Sequence, residues 1–225
     1  MLKHDVPVIT LDGPSGTGKG TICHMLDKEL GWNMLDSGAI YRVLAYAARK
    51  NHIDFADIER LTALALSLDL RFESNEHNQT SVLLDNENIS QAIRSEQCGQ
   101  DASTIAVIAE IRAALLARQR GFAQPPGLVT DGRDMGTVVF PNAILKVFLY
   151  ASEAERANRR YLQLNEKGNN VSLAQVVEEL TIRDKRDTAR QHAPLKAADD
   201  AVLIDTTGLT IVEVFQNVLK LKDGG

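Results

Sequence analysis

Nine consecutive residues near the start of the chain, Gly13-Pro14-Ser15-Gly16-Thr17-Gly18-Lys19-Gly20-Thr21, have the composition of a loop built to hold phosphate. Glycines let the backbone curl so that successive N–H groups point inward at anionic oxygens. A helix that starts where such a loop ends adds partial positive charge. Lys19 supplies a point charge for the β- and γ-phosphates of a nucleoside triphosphate. The plain alternative is a glycine-rich turn. The flanks speak against it, because an apolar run, Val6 to Leu11, leads in and a helical stripe of Ile22, Met25, Leu26 and Leu30 leads out. The general pattern places Ser or Thr directly after the lysine to help hold magnesium; here Gly20 stands there and Thr21 follows one place later. Asp131, at the end of a later apolar run, is either a polar strand terminus or a carboxylate that orients magnesium through a water.

A phosphate loop does not say where the phosphoryl group goes. Arg183, Asp187 and Arg190 are spaced i, i+4 and i+7, which places all three on one helical face. Such a face is either solvated and laced with ion pairs, or a place where a ribose and a phosphate bind together. Arg156, Arg159 and Arg160 pose the same choice. Their occurrence beside a phosphate loop, in a chain of net charge −5, favours phosphate. In-line transfer between two polyanions needs several cations, and arginine forks match phosphate oxygens. A phosphate acceptor is already ionised near neutral pH, so no nucleophile triad is needed, and none is visible. The five histidines are scattered without metal-ligand spacing.

Three rivals predict other residues. A phosphate-loop hydrolase or switch calls for a guanine-selecting Asn-Lys-x-Asp segment or a water-positioning motif; Asp205-Thr206-Thr207-Gly208 fits a short switch pattern but follows the last strand, where a turn is expected. A kinase for a small hydroxyl metabolite calls for a general base in place of the extra arginines. A sensor that binds without turnover has no use for an equipped acceptor site.

The elements that must position these residues alternate between strand and helix. Apolar runs at 6–11, 32–35, 128–131, 145–150 and 201–204 read as five buried strands. Amphipathic stretches between them read as helices, with Ser37 as a cap and with capping boxes at Ser152/Glu155 and Ser172/Gln175. This predicts an α/β fold: a five-stranded parallel sheet with helices on both faces. The alternation breaks where Leu70, Phe72, Val82 and Leu84 alternate with polar neighbours around turns at Asn75-Glu76-His77-Asn78 and Asn86-Glu87-Asn88, which predicts a small antiparallel insert. One long helical region is expected from about Ser90 to Phe122. At 225 residues a single domain suffices. Composition, 44% hydrophobic and 24% charged, suits a globular protein, and the negative balance argues against general nucleic-acid binding. Cys23 and Cys98 lie far apart, giving neither a disulfide framework nor a thiolate metal site. No apolar run spans a bilayer or forms a signal-peptide core, so a cytoplasmic protein without membrane contact is expected.

Four segments in this order, Leu11 through Thr21, Leu35-Asp36-Ser37-Gly38-Ala39-Ile40-Tyr41-Arg42, Asp131-Gly132-Arg133-Asp134-Met135-Gly136-Thr137-Val138-Val139-Phe140-Pro141 and Arg183-Asp184-Lys185-Arg186-Asp187, are similar to bacterial-type cytidylate kinases. The loop form Gly-x-Gly-Lys-Gly-Thr is also that of nucleoside monophosphate kinases. The resemblance covers roughly residues 5–220. It implies transfer of the γ-phosphoryl group of ATP to CMP and dCMP, with magnesium, by a monomer. It assigns Lys19, Arg133 and Arg190 to catalysis, and Arg42, Arg133 and Arg190 to the acceptor phosphate. Arg183 and Asp187 go to the ribose, and Ser37, Ser103, Arg112 and Asp134 to the cytosine pocket. The antiparallel insert, roughly residues 67–100, becomes a CMP-binding piece, and Arg156, Arg159 and Arg160 belong to a short lid over ATP, roughly residues 156–171. Nine residues separate Ser103 from Arg112, so a continuous helix would put them on opposite faces; the chain must kink between them.

Overall fold

The apolar run before the glycine loop becomes β1 (Val8–Asp12), buried along its whole length because it is the middle strand of a sheet covered on both faces. The computed structural model describes residues 6–74, 80–166, 168 and 171–224. Strands are numbered in chain order. With β2 (Asn33–Asp36), β6 (Leu128–Gly132), β7 (Leu145–Tyr150) and β8 (Val202–Asp205), β1 forms a five-stranded parallel sheet in the order β2-β6-β1-β7-β8. The expected doubly wound sheet is therefore present. Its chain order reverses at β1, which puts a crevice beyond the carboxyl ends of β1 and β6, the usual place for a ligand in such sheets.

Residues alternate across β1, so Ile9 and Leu11 face one way and Thr10 and Asp12 the other. Ile9 and Leu11 join Val129, Val147 and Leu149 against Ile22, Cys23 and Leu26 of α1 (Lys19–Leu30) and Val214, Phe215 and Val218 of α8 (Ile211–Asp223). Each such aliphatic side chain, fully buried, contributes about 1.5–3 kcal/mol. Helix α8 opens on a capping box, Thr210 with Glu213, that the sequence reading did not name. A helical pair, α6 (Glu153–Glu166) and α7 (Leu173–Ala189), packs through Ala157, Leu164, Val176 and Leu180. The Ser172/Gln175 box closes both ways, whereas at α6 Ser152 Oγ accepts from Glu155 N (3.3 Å) and the Glu155 carboxylate pairs with Arg159 (2.9 Å).

The chain divides into two compact units, Met1–Asp36 with Gln119–Gly225, which holds the parallel sheet, and Ser37–Arg118. The second contains α2 (Ser37–Lys50), α3 (Ile58–Ser67), the antiparallel sheet β3-β4-β5 (Leu70–Ser74, Thr80–Leu84, Glu87–Asn88), a 3₁₀ turn at Ala92–Arg94 and α4 (Glu96–Ile105). Helix α5 (Ala109–Gly121) begins in this unit and ends in the first. Ser37 is the first residue of α2 rather than its cap. The expected turn at 75–78 lies outside the described residues.

The single long helix expected over 90–122 is instead a 3₁₀ turn and two helices, with a break at 106–108. Ser95 starts α4 by accepting from Cys98 N at 3.2 Å. The break needs neither Gly nor Pro. Ile105 and Ile111, far apart around a continuous helix, are both fully buried, and the Arg112 guanidinium donates to the Ala106 carbonyl (3.1 Å) that the break leaves over. The kink required between Ser103 and Arg112 is thus present.

Candidate active site

The loop Gly13–Thr21 is held mainly by its own residues. Lys19, in the first turn of α1, donates from Nζ to the Pro14 carbonyl (2.6 Å) and to Thr17 Oγ1 (3.3 Å), and Thr17 donates to the same carbonyl (3.2 Å). Gly13 sits at φ +144°, where a Cβ would lie 2.0 Å from the Leu149 carbonyl oxygen, so the loop can leave β1 beside β7 only through glycine. Burial, then the neighbouring Arg133 charge, pushes the Lys19 ammonium well below its ordinary range. A polyphosphate oxygen beside it would supply the opposing charge. Thr21, one place late for direct metal ligation, is exposed.

Three carboxylates line the carboxyl ends of neighbouring strands. Asp12 ends β1, and Asp36 on β2 pairs in register with Asp131 on β6. Burial, then the Asp36 charge, raises the Asp131 carboxyl strongly, and its Oδ1 is buried with no hydrogen-bond partner. An unsatisfied carboxylate oxygen beside a phosphate loop fits a hydrated divalent cation carried by a nucleotide. No cluster of three or more His, Cys, Asp or Glu side chains among the described residues forms a cage for a resident metal.

Two of the three acceptor-type arginines, Arg133 and Arg190, lie on the same unit as the loop; Arg42 belongs to the other. Arg133, just past β6, donates from Nε to Asp187 Oδ2 (2.8 Å) and from NH2 to Ser15 Oγ (2.8 Å), tying the phosphate loop to α7. Arg190 donates from Nε to the Asp187 backbone carbonyl (3.1 Å), and its NH2 lies 4.0 Å from Asp187 Oδ1. Burial would raise the Asp187 carboxyl, but Arg133, Arg183 and Arg190 together hold it below its usual range. Arg183 and Asp187 lie on α7, but the helix stops before Arg190, which caps it with extended backbone (φ −58°, ψ 134°), so the single helical face expected for the three is not formed. The charges of Arg133, Arg183 and Arg190 nevertheless act on the buried Asp187 carboxylate. Asp134, also buried, leads into a single π-turn at Met135–Val139.

The other arginine group separates. Arg156 is buried beneath the loop, where its NH1 donates to the Ser15 carbonyl (3.2 Å) and pairs with Asp184 Oδ2 (2.6 Å). Arg159 grips the turn after β8 through Thr206 O (2.6 Å) and Leu209 O (3.2 Å). Arg160 bonds Gln163 at 2.6 Å on an exposed surface. The Asp205-Thr206-Thr207-Gly208 segment is a strand-end turn, with Asp205 Oδ1 accepting from Thr207 N at 2.9 Å. Of the lid expected over roughly 156–171, residues 167, 169 and 170 lie outside the described residues.

In the second unit, Arg42 on α2 donates from NH1 to the carbonyls of Ile93 (2.8 Å) and Ser95 (3.2 Å), and a Cβ on Gly99 would reach within 2.8 Å of its guanidinium. Ser37 and Ser103 are buried, and the Arg112 guanidinium stands 5.7 Å from the Tyr41 ring centre. Sequence reasoning passed over Asp12, Asp184 and Arg120. Asp12 precedes the loop and was visible as a motif residue. Nothing in the sequence ties Asp184 to Arg156, or Arg120 to the carbonyls of Val138 and Val139, to which it donates at 3.0 and 2.9 Å.

A model of the family described as cytidylate kinase matches residues 9–223. A cytidylate kinase from Pseudomonas syringae pv. tomato is 54% identical over 97% of this chain and 96% of its own length. Another from Nitrosococcus oceani is 54% identical over 99% of both chains. Among solved structures, an uncharacterized protein from Eubacterium ventriosum superposes with a TM-score of 0.54 at 11% identity, covering 97% of this chain and 99% of its own, a likeness of fold alone.

Proposed function

The chain belongs to the cytidylate kinase family, and on that premise we propose that it transfers the γ-phosphoryl group of ATP to CMP, and to dCMP, giving ADP and the matching diphosphate. The observation that carries this reading is Arg133, whose one guanidinium reaches both the phosphate loop at Ser15 and the arginine-ringed Asp187. Backbone N–H groups of Gly13–Thr21 and the Lys19 ammonium hold the donor phosphates. Arg133 and Arg190, with Arg42, take the acceptor phosphate, and charge and alignment carry the reaction without a base. Asp187 and Arg183 hold the ribose. Ser37, Ser103, Arg112 and Asp134 read cytosine; a carboxylate accepts from its exocyclic amine and repels the oxygen that uracil presents there. Arg156, Arg159 and Arg160 serve the ATP side, Arg156 by fixing the loop backbone from below and all three as the base of a lid that excludes water.

Asp131 would hold a magnesium ion bound with ATP through water, and the ion would supply neutralisation of the phosphate charge. We also place the enzyme in the cytoplasm as a monomer without nucleic-acid partners; among the described residues no helix is long and apolar enough to cross a membrane. The test is ADP release from magnesium-ATP with CMP, dCMP, UMP, AMP, GMP or no acceptor. Fast release with CMP and dCMP and almost none without acceptor is expected. Acceptor-independent release would instead mean a hydrolase.

A further inference from the structure

The π-turn at Met135–Val139 is fastened at both ends by charged side chains that no part of the mechanism uses. At its start the two Asp12 oxygens accept separately from Met135 N (2.8 Å) and Gly136 N (2.7 Å). At its end the Arg120 guanidinium donates from Nε to the Val139 carbonyl (2.9 Å) and from NH2 to the Val138 carbonyl (3.0 Å). A carboxylate at the N-terminal end and a guanidinium at the C-terminal end of one turn both match its dipole. There is no slack around it. A Cβ on Gly136 would come within 2.9 Å of Thr10 Oγ1 and 3.3 Å of Asp12 Oδ2. Inside the turn the Asp134 carbonyl accepts from both Val138 N (2.9 Å) and Val139 N (3.2 Å), so the backbone of Asp134 is part of what is clamped. Asp12 is bonded covalently to Gly13, the first residue of the phosphate loop. The clamp therefore refers the Arg133-Asp134 pair to the donor loop.

We infer that Arg120 and Asp12 are positioning residues for CMP: they set Asp134, and Arg133 beside it, at a fixed place relative to the phosphate loop. Arg120 is the cleaner probe, since it is exposed at the end of α5 and its loss leaves no buried charge behind. The inference rests on the reading of Asp134 and Arg133 as CMP-binding residues.

The experiment compares Arg120→Ala, Arg120→Lys and Asp134→Asn in the full chain, reading KM for CMP and for magnesium-ATP, the CMP-to-UMP preference, and amide hydrogen exchange at Val138, Val139 and Phe140. In Arg120→Ala, exchange at these amides accelerates, KM for CMP rises about tenfold, the preference for CMP over UMP falls, and KM for ATP stays within about twofold. Arg120→Lys, which can still donate to one carbonyl, recovers part of the CMP affinity. An unchanged KM for CMP, or equal rises for CMP and ATP, would overturn the inference. Asp134→Asn separates the two claims. If it shifts the CMP-to-UMP preference while Arg120→Ala does not, the clamp alone fails; if it leaves the preference unchanged, the assignment of Asp134 to cytosine fails.

Discussion

The donor side and the acceptor side of the sheet unit are held in different ways. The phosphate loop is fixed largely by neighbours in sequence: Lys19 and Thr17 both close onto Pro14, five and three residues away. The acceptor group is fixed by residues far apart in the chain. Arg133 meets Asp187 across 54 residues and Ser15 across 118, and Asp12 holds Met135 and Gly136 across 123 and 124. The Lys19 closure can be removed without breaking a long-range hydrogen bond, while Ser15 of the same loop is where Arg133 and Arg156 reach it from across the chain. A cluster closed over long distances couples ligand recognition to the stability of the whole unit.

The largest expected effect tests the local side. On the proposed role of Lys19 as the charge on the transferring phosphoryl group, Lys19→Met is expected to lower kcat by about 10³-fold. Because the hydrogen bonds of Lys19 go to Pro14 and Thr17 of its own loop, the thermal midpoint and the affinity for CMP are expected to stay close to those of the parent. Loss of CMP binding together with ATP binding would erase the distinction between the two sides.

Asp187→Ala tests the long-range side. It leaves Arg133 and Arg190 around an uncompensated buried site, and the expected cost is about 3 kcal/mol by urea unfolding, the low end for a broken buried pair because Arg133 is 16% exposed. KM for CMP rises in the same variant. A loss of CMP affinity with stability intact would break the proposed coupling.

A smaller effect sharpens it. The Asp187 carboxyl is held below its ordinary range in the folded protein, so its stabilisation is fully present above the unfolded carboxylate pKa of about 4 and is lost as pH falls through the lower folded value. The non-titrating Asp187→Asn variant lacks this dependence. Unfolding measured from pH 7 downward should show the gap between the two proteins constant to about pH 4 and narrowing below it. A gap that grows on acidification would contradict the charge arrangement around Asp187.

The same contrast explains what was legible in the sequence. Features set by local pattern were readable: β1 and its loop, the places of the five strands, the antiparallel insert and the Ser172/Gln175 box. Burial of all five was not, since the edge strands β2 and β8 are largely exposed. Arg183 and Asp187 were readable as one face from helical spacing, whereas Arg190 approaches the same carboxylate from the cap just past α7, outside the helix that the i, i+7 spacing assumed. The break at 106–108 was not readable from breakers, since burial of Ile105 and Ile111 and one donation from Arg112 make it without Gly or Pro. Only the demand that Ser103 and Arg112 share a role pointed to it. The fate of Arg156, drawn under the loop by Asp184 and the Ser15 carbonyl, depends on how α6 and α7 pack on that loop. No local spacing carries that information, and the same holds for Arg120 on the π-turn.

The measurement that bears most directly on the central claim is where the phosphoryl group ends up. Phosphorus NMR of the enzyme with magnesium-ATP and CMP should show the diphosphate resonances of ADP and CDP growing together as ATP and CMP fall, with no inorganic phosphate. Inorganic phosphate in step with ADP, or a spectrum that does not change, would contradict the account.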